Sequence, residues 1–551
     1  MDTKKKKLTA IIIAAVALVL AAVIVVTCVV LRRSDGTSPD TLGGSGQNLP
    51  TVTYKPEEGK TVTYEKADFG DYSIPAEFVE IMNAANAVSE KECSEKGVAL
   101  TVGSHEISLT EFAMSYYDTY SNAVFEYGSD TQTTKALRSD VRPSELQYAG
   151  EVTWKERLEE LTVEDVRKKY ILAFEALRQG FDISNETYEF IVEEFKANVE
   201  YTESQGITLD DFMEASYCAR VPYELYQRSY ILMWYAAEYE EALKTQFSAT
   251  YSEEDIENFY KDASFLYDYV DVYMMLINMG STVDPSEYEH IRTKEEFLDF
   301  VHQYFTENGY PVEVIDEASN WTKCSYKDLG SAIGKDVADW CFDPAREAGD
   351  IEMVSGVVYE CLIFVDRPAY KEVSADFLDC YLYHTYSNGS TDNEKIKNTN
   401  IAMAQIQQEF ELTDKSAEAF KDIATKYSQG FAAADGGLNS AVRLSNDDEM
   451  YDKEALRWCF AEGRKSGDYA CIETDLGYQL IYFLNKNEGD YDYVYGILKH
   501  FGENDFDEYL NELLEYKDNV TKIDKDNCAK GSDAGEEAAA QSVEQVIAAG
   551  Y

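Results

Sequence analysis

Histidine, proline and basic residues are scarce in this chain, and each scarcity excludes something. Among 551 residues there are 5 His and 10 Pro. No H-E-x-x-H, G-x-S-x-G or Gly-rich phosphate loop occurs, so zinc hydrolase, serine hydrolase and nucleotide-binding chemistry have no motif to rest on. Few prolines, with 31 Gly, favour helix over a loop-rich β fold. Lys and Arg number 49 against 103 Asp and Glu, a net charge of −54. A body so acidic is soluble and is repelled by nucleic acid and anionic lipid, so nucleic acid is excluded as a partner. No Asp-x-Asp-x-Asp-Gly loop turns that acid into a calcium site. We read it as a solvated surface and expect no metal and no cofactor.

Cysteine is present, but none of the 10 forms a C-x-x-C pair, which leaves zinc and thioredoxin chemistry unsupported. Beyond Cys28 lie Cys93, Cys218, Cys324, Cys341, Cys361, Cys380, Cys459, Cys471 and Cys528, an odd number, so at least one is unpaired. What is plentiful is apolar material. A hydrophobic content of 45% with 13% aromatics suffices for packed cores, and the length suggests roughly two to four domains.

Leu8 to Leu31 is an uncharged apolar run of 24 residues, long enough to cross a ~30 Å hydrocarbon layer. Lys4 to Lys7 precede it and set the orientation. The expectation is a cytoplasmic tip (1–7), a transmembrane helix (8–31) and a flexible stalk (32–75), with the rest extracytoplasmic. A cleaved signal peptide is the competing reading, but no A-x-A site follows the run. Lipidation at Cys28 is disfavoured by the preceding Thr27.

Val98 to Val102 reads as a strand, and Ser108 with Glu111 as a helix cap. Thr162 with Asp165, Thr208 with Asp211 and Ser252 with Asp255 read as further capping boxes in a helical stretch to about Tyr260. Gly180 and Gly206 fall where helix C-termini need a left-handed residue. Ile171, Phe174 and Leu177 mark one core stripe; Tyr226, Tyr230 and Trp234 mark another. Tyr267 to Ile277 and Phe377 to Tyr383 read as strands, and Lys294 to Glu307 and Asn393 to Phe410 as helices. Tyr491 to Leu498 reads as a last strand, Asp505 to Tyr516 as a helix, and the tail from Lys525 as frayed.

A repeat organises the second half. Trp340-Cys341-Phe342, Arg346 and Gly349-Asp350 recur as Trp458-Cys459-Phe460, Arg464 and Gly467-Asp468, at a constant offset of 118 residues (340 to 458, 349 to 467). Each copy then runs into an apolar strand, CLIFV or QLIYFL. Both tryptophans and both cysteines are read as core. Phe420 to Lys486, around the second copy, reads as a helix, a Gly turn, a second helix and two strands.

The second copy resembles a parvulin-type peptidyl-prolyl isomerase domain. The resemblance rests on F-x-x-I-A-x-x-Y-S at Phe420–Ser428, Gly436-Gly437, the run from Ala455 to Asp468, and L-G-Y-Q-L-I-Y-F at Leu476–Phe483. The V-x-G-x-x-I-S-L-x-E-F pattern at Val102–Phe112, with the helices after it, resembles the chaperone domain of the PrsA and SurA class of extracytoplasmic foldases. The resemblance implies an α+β chain with a helical chaperone-like domain (76–262), a degenerate parvulin-like domain (263–372), a parvulin-like domain (373–500) and a C-terminal segment (501–551). Each parvulin-like domain would be a small antiparallel sheet wrapped by helices. The implied partners are unfolded or newly secreted polypeptides, with the membrane through one helix. The implied place is the cell membrane, single-pass, with the bulk outside.

The family's reactive side chains are substituted. Its final-strand histidine falls on Gln479. Its Cys or Asp falls on Gly430. Its first-strand histidine falls on Asp379 or Tyr381, according to register. In the first copy Glu360 takes the final-strand position. His105, His290, His302, His384 and His500 are read as structural or solvated. Met450 and Tyr451 lie near the family's groove wall and are candidates to touch peptide. The expectation is therefore a peptide-binding foldase whose isomerase activity is weak or lost. A non-catalytic surface scaffold or adhesin that binds one fixed protein is the alternative; a solute-binding protein is a weaker third.

Overall fold

A computed structural model describes residues 75–127, 137, 141–217, 220–308, 319–389, 391–445, 451–516, 519 and 521–549. The apolar run at 8–31, the stalk, Cys218 and Met450 lie outside them. No helix among the described residues is long and apolar enough to cross a membrane. The chain is mixed α+β with small antiparallel sheets. It divides into two compact units: one takes the described residues up to Phe247 and again from Gly502, the other Ser248 to Phe501.

The first unit begins with α1 (Ala76–Lys96), β1 (Val98–Val102), β2 (His105–Ser108) and α2 (Leu109–Tyr127). A short hairpin of β3 (Gln147–Ala149) and β4 (Val152–Thr153) leads to α3 (Trp154–Arg178), α4 (Asn185–Gln205), α5 (Leu209–Tyr217) and α6 (Tyr223–Ser248). Local signals set most of the ends. Thr208 and Asp211 cap each other's backbone N–H groups, and Gly206 ends α4 in the left-handed region at φ 67°. The expected cap at Thr162 is overturned. The reciprocal cap is Thr153 with Glu156, two turns earlier, and Thr162 lies inside α3 with its hydroxyl donating to Leu158 O at 2.7 Å. Trp154, Leu158 and Val166 continue the buried stripe through Thr162, so apolar periodicity outvotes the capping pattern. The Ser108 cap forms, with Glu111 N donating to Ser108 Oγ at 3.2 Å. The Glu111 carboxylate turns inward instead and pairs with buried Arg228 at 2.8 Å.

The second unit opens with α7 (Glu253–Ala263), capped reciprocally by Ser252 and Asp255. Then come β5 (Tyr269–Asn278), α8 (Pro285–Tyr288), α9 (Lys294–Glu307), β6 (Asn320–Ser325), α10 (Tyr326–Ala332), α11 (Lys335–Cys341), β7 (Ile351–Ser355) and β8 (Tyr359–Tyr370). These strands pair antiparallel in the order β6-β5-β8-β7. There follow β9 (Val373–Tyr383), α12 (Asp392–Glu411), α13 (Ala417–Tyr427), β10 (Leu438–Val442), α14 (Lys453–Phe460), β11 (Tyr469–Glu473) and β12 (Gly477–Tyr491). The second sheet has the order β10-β9-β12-β11, the same topology as the first. β10 was not expected; it is a short edge strand whose pairing with β9 is interrupted by a bulge.

The repeated residues build the same corner twice. Arg346 lies 4.8 Å over the Trp340 ring, and Arg464 lies 3.7 Å over the Trp458 ring. Each Arg also sits 3.6 Å from the Asp after the repeated Gly. Those glycines share φ 91° and donate to Val365 O and Phe483 O at 2.8 and 3.0 Å. Cys341 and Cys459 are fully buried in the two cores. The repeat is therefore a stacking and turn module that clamps a helix to its hairpin.

Residues 491–498 correct another expectation. Tyr491 ends β12, and the rest begin α15 (Asp492–Glu515), with Tyr493 and Ile497 one turn apart and buried with Ile256 and Tyr260. β13 (Thr521–Ile523) then pairs with β1, giving a sheet β13-β1-β2 in the first unit. The tail from Lys525 is not frayed: it is α16 (Lys525–Ala549), packed along α2. A Cβ on Gly531 would stand 2.7 Å from the Phe112 ring, and one on Gly535 2.6 Å from the Tyr116 ring. The Gly, Ser and Ala content that suggests fraying is the small-residue face of a close helix contact.

Candidate functional site

The site is built on one face of the second sheet. Alternation along β9 puts Phe377, Asp379 and Tyr381 on one side and Leu378, Cys380 and Leu382 on the other, where α12 and α13 cover them. β12 runs antiparallel with Tyr381 opposite Gln479 and Asp379 opposite Ile481. Gln479 therefore shares the face of both expected alternatives for the first-strand position. It bonds only one of them: Gln479 Nε2 donates to Asp379 Oδ2 at 2.8 Å. Asn439, from β10, donates its Nδ2 to Asp379 Oδ1 at 3.0 Å. Tyr381 turns to a different partner, with its hydroxyl 2.5 Å from Thr474 Oγ1.

Asp379, Gln479 and Asn439 are 4%, 3% and 3% exposed, so the acid sits beneath the surface. Burial pushes its carboxyl up to about 6, and the two amide donors oppose part of that rise. The amide oxygens of Gln479 and Asn439 are buried without partners.

Two glycines shape the space. Gly437, at φ 77°, passes so close to β9 that a Cβ would lie 2.1 Å from Asp379 O. Its carbonyl accepts from Asp379 N at 2.8 Å. Gly430 leaves room above the acid: a Cβ there would lie 3.8 Å from Asp379 Oδ2 and 3.2 Å from Tyr381 Cβ. Ser428 Oγ fixes this loop by accepting from Tyr381 N and Gly430 N, each at 3.1 Å. Tyr451 stands at the side, with its ring 5.9 Å from both Phe377 and Phe431. Thus Asp379, Gln479 and the backbone of Gly430 converge, Tyr451 flanks them, and Met450 lies outside the described residues. Asn439 and Thr474 were not anticipated. The Gly436-Gly437 turn before Leu438-Asn439 was the available signal for a short strand at 438–442.

The first sheet carries no such cluster. The 118-residue offset and the strand register make Met274, Leu276, Cys361 and Trp321 the counterparts of Asp379, Tyr381, Gln479 and Asn439. Glu360, expected at the final-strand position, is on the other face of β8, bonded to Ser355 Oγ at 2.6 Å. The side covered by α10 and α11 takes the odd-numbered Cys361, Ile363 and Val365, which puts Glu360 on the opposite side.

No histidine joins the cluster. His384 packs edge-on to Tyr478, on the opposite face of the second sheet. The eight described cysteines are free thiols, and all but Cys471 are buried. Burial raises Cys324, Cys341 and Cys380 to about 12 and Cys361 to about 11, which removes them as nucleophiles at neutral pH. Among the described residues no group of His, Cys, Asp and Glu is placed to hold a metal ion. No protein-family model matches the chain, and no curated protein matches it in sequence.

Proposed function

We propose that this chain is a membrane-anchored extracytoplasmic foldase or chaperone of the parvulin type, which holds unfolded or newly secreted polypeptide and isomerises prolines weakly or not at all. One observation carries the reading. Gln479 and Asp379, at positions the resemblance assigns to histidines, bond each other at 2.8 Å directly beneath Gly430, at the position it assigns to Cys or Asp. The arrangement is a reactive cluster's geometry with its reactive groups replaced.

The chemistry follows from the replacement. Rotation about an Xaa-Pro bond meets a barrier of about 18–20 kcal/mol from amide resonance. Lowering it requires a contact that strengthens as the amide twists. Asp379 and Gln479 spend their hydrogen bonds on each other, and Gly430 offers no side chain. A peptide over this floor meets shape and the Tyr451 ring, which hold planar and twisted amides alike. Such binding adds affinity without rate.

The test is a pair of assays on the chain freed of its first 75 residues. Suppression of aggregation of an unfolded client, with Xaa-Pro isomerisation within a few-fold of background, is expected. Failure to bind any unfolded chain, together with tight saturable binding to one folded protein, would replace the foldase with a scaffold or adhesin.

A further inference from the structure

The second unit contains a cavity of about 370 Å³, away from the Asp379 cluster, lined by both sheet domains. β6 and α10 supply Trp321, Lys327 and Asp328; α14 and the loop before it supply Leu444, Lys453, Leu456 and Arg457. Leu266 and Tyr267 contribute from the segment before β5. The volume suits a small ligand or one or two residues of peptide.

Its polar groups are unevenly committed. Each lining carboxylate is held by neighbours. Asp328 accepts from Ser325 N and Oγ at 3.1 and 2.8 Å. Asp268 accepts from Tyr260 Oη at 2.5 Å. Asp492 accepts from Ser445 N and Oγ at 3.1 and 2.5 Å, and from the Tyr269 hydroxyl. Buried Lys323 is likewise taken, by Glu372 at 3.4 Å. The donors that remain are different. Trp321 Nε1 is buried with no partner. Among the described residues Arg457 pairs only with Glu454 on its own helix turn, and that Glu is 62% exposed. Lys327 has an exposed side chain in the lining. In a chain of net charge −54, a cavity whose spare groups are all donors is a local exception.

We propose that this cavity binds a carboxylate carried on an apolar group. The anion would accept from Trp321 Nε1 and the Arg457 and Lys327 cations. The apolar part would lie on Leu266, Leu444 and Leu456. The C-terminal residue of a polypeptide and a free aliphatic or aromatic acid share this chemistry. The assignment stands whether or not the protein is a foldase, since no residue of the Asp379 cluster lines the cavity.

The experiment is calorimetric titration of the full chain with acetyl-leucine and acetyl-leucine amide, and with a hexapeptide ending in Ala-Leu as acid and as amide. The acid is expected to bind at least about tenfold tighter than its amide, because only the acid forms charge-assisted bonds. Arg457→Gln and Trp321→Phe are each expected to erase most of that difference while leaving the melting temperature within a few degrees. Lys327→Gln, an exposed change that cannot unfold the chain, should weaken the acid alone. Preference for the peptide acid assigns the site to chain ends; equal binding of both acids assigns it to small acids. Equal affinity for acid and amide, or no binding of any of the four probes, overturns the proposal.

Discussion

The two sheet domains of the second unit share a strand order, a stacked Arg–Trp corner and a Gly turn at the same φ, yet differ under the face that their repeated helix covers. The first has Met274, Leu276 and Cys361 there; the second has Asp379, Tyr381 and Gln479. What repeats between them is the frame, and what diverges is the floor. The repeated residues therefore report how the domain is held together, and the unrepeated ones report what one copy does alone.

That contrast can be broken from the first domain. Met274 is 1% exposed, and Met274→Asp installs the second domain's acid without its amide donors. An unpaired buried carboxylate is expected to cost about 4 kcal/mol, read by urea unfolding. If the cost is below about 1 kcal/mol, the two floors are interchangeable. In the second domain Gly437→Ala should cost about 3 kcal/mol, since it forces a side chain into positive φ and against Asp379 O.

A pH measurement sharpens the comparison next. The carboxyl of Asp379 rises to about 6 in the fold from an unfolded value near 4. A group raised in this way binds its proton more tightly in the folded state. Its stabilising contribution is full below about pH 4 and is lost as pH rises through about 6. The stability gap between wild type and Asp379→Asn should therefore move against wild type by about 2 to 3 kcal/mol between pH 4 and 7. A flat gap would place the acid in contact with water. The smallest effect belongs to the shared corner. Arg464→Ala should cost about 1 kcal/mol and Arg346→Ala less, because Arg464 stacks more closely and also donates to Trp458 O at 3.0 Å.

Much of the fold was legible in the sequence because the relevant forces are local. The Thr208 and Ser252 caps, the left-handed Gly206 and the stripe through Tyr230 and Trp234 depend on neighbours within a few turns. The failures came where distant chain decides. Thr162 carries a cap pattern, but the core contact of α3 begins at Trp154. The alternation at 491–498 resembles a strand until Tyr493 and Ile497 meet α7. Asp379 and Gln479 could be named from resemblance. That Gln479 bonds Asp379 and not Tyr381, the residue opposite it, and that Asn439 joins them, depends on how three strands meet, which a single strand's sequence does not encode.

The pairing of β13 with β1 has a consequence in time. A protein synthesised from its N-terminus presents β1 to solvent early, whereas Thr521 to Ile523 arrive only after the whole of Ser248 to Phe501. The second unit can finish folding while the first still lacks one sheet edge and the helix that covers α2. Until then β1 is an open edge, able to recruit a strand from another chain. Truncation before residue 521 should leave that state permanent, which would appear as aggregation rather than as a loss of secondary structure in the second unit.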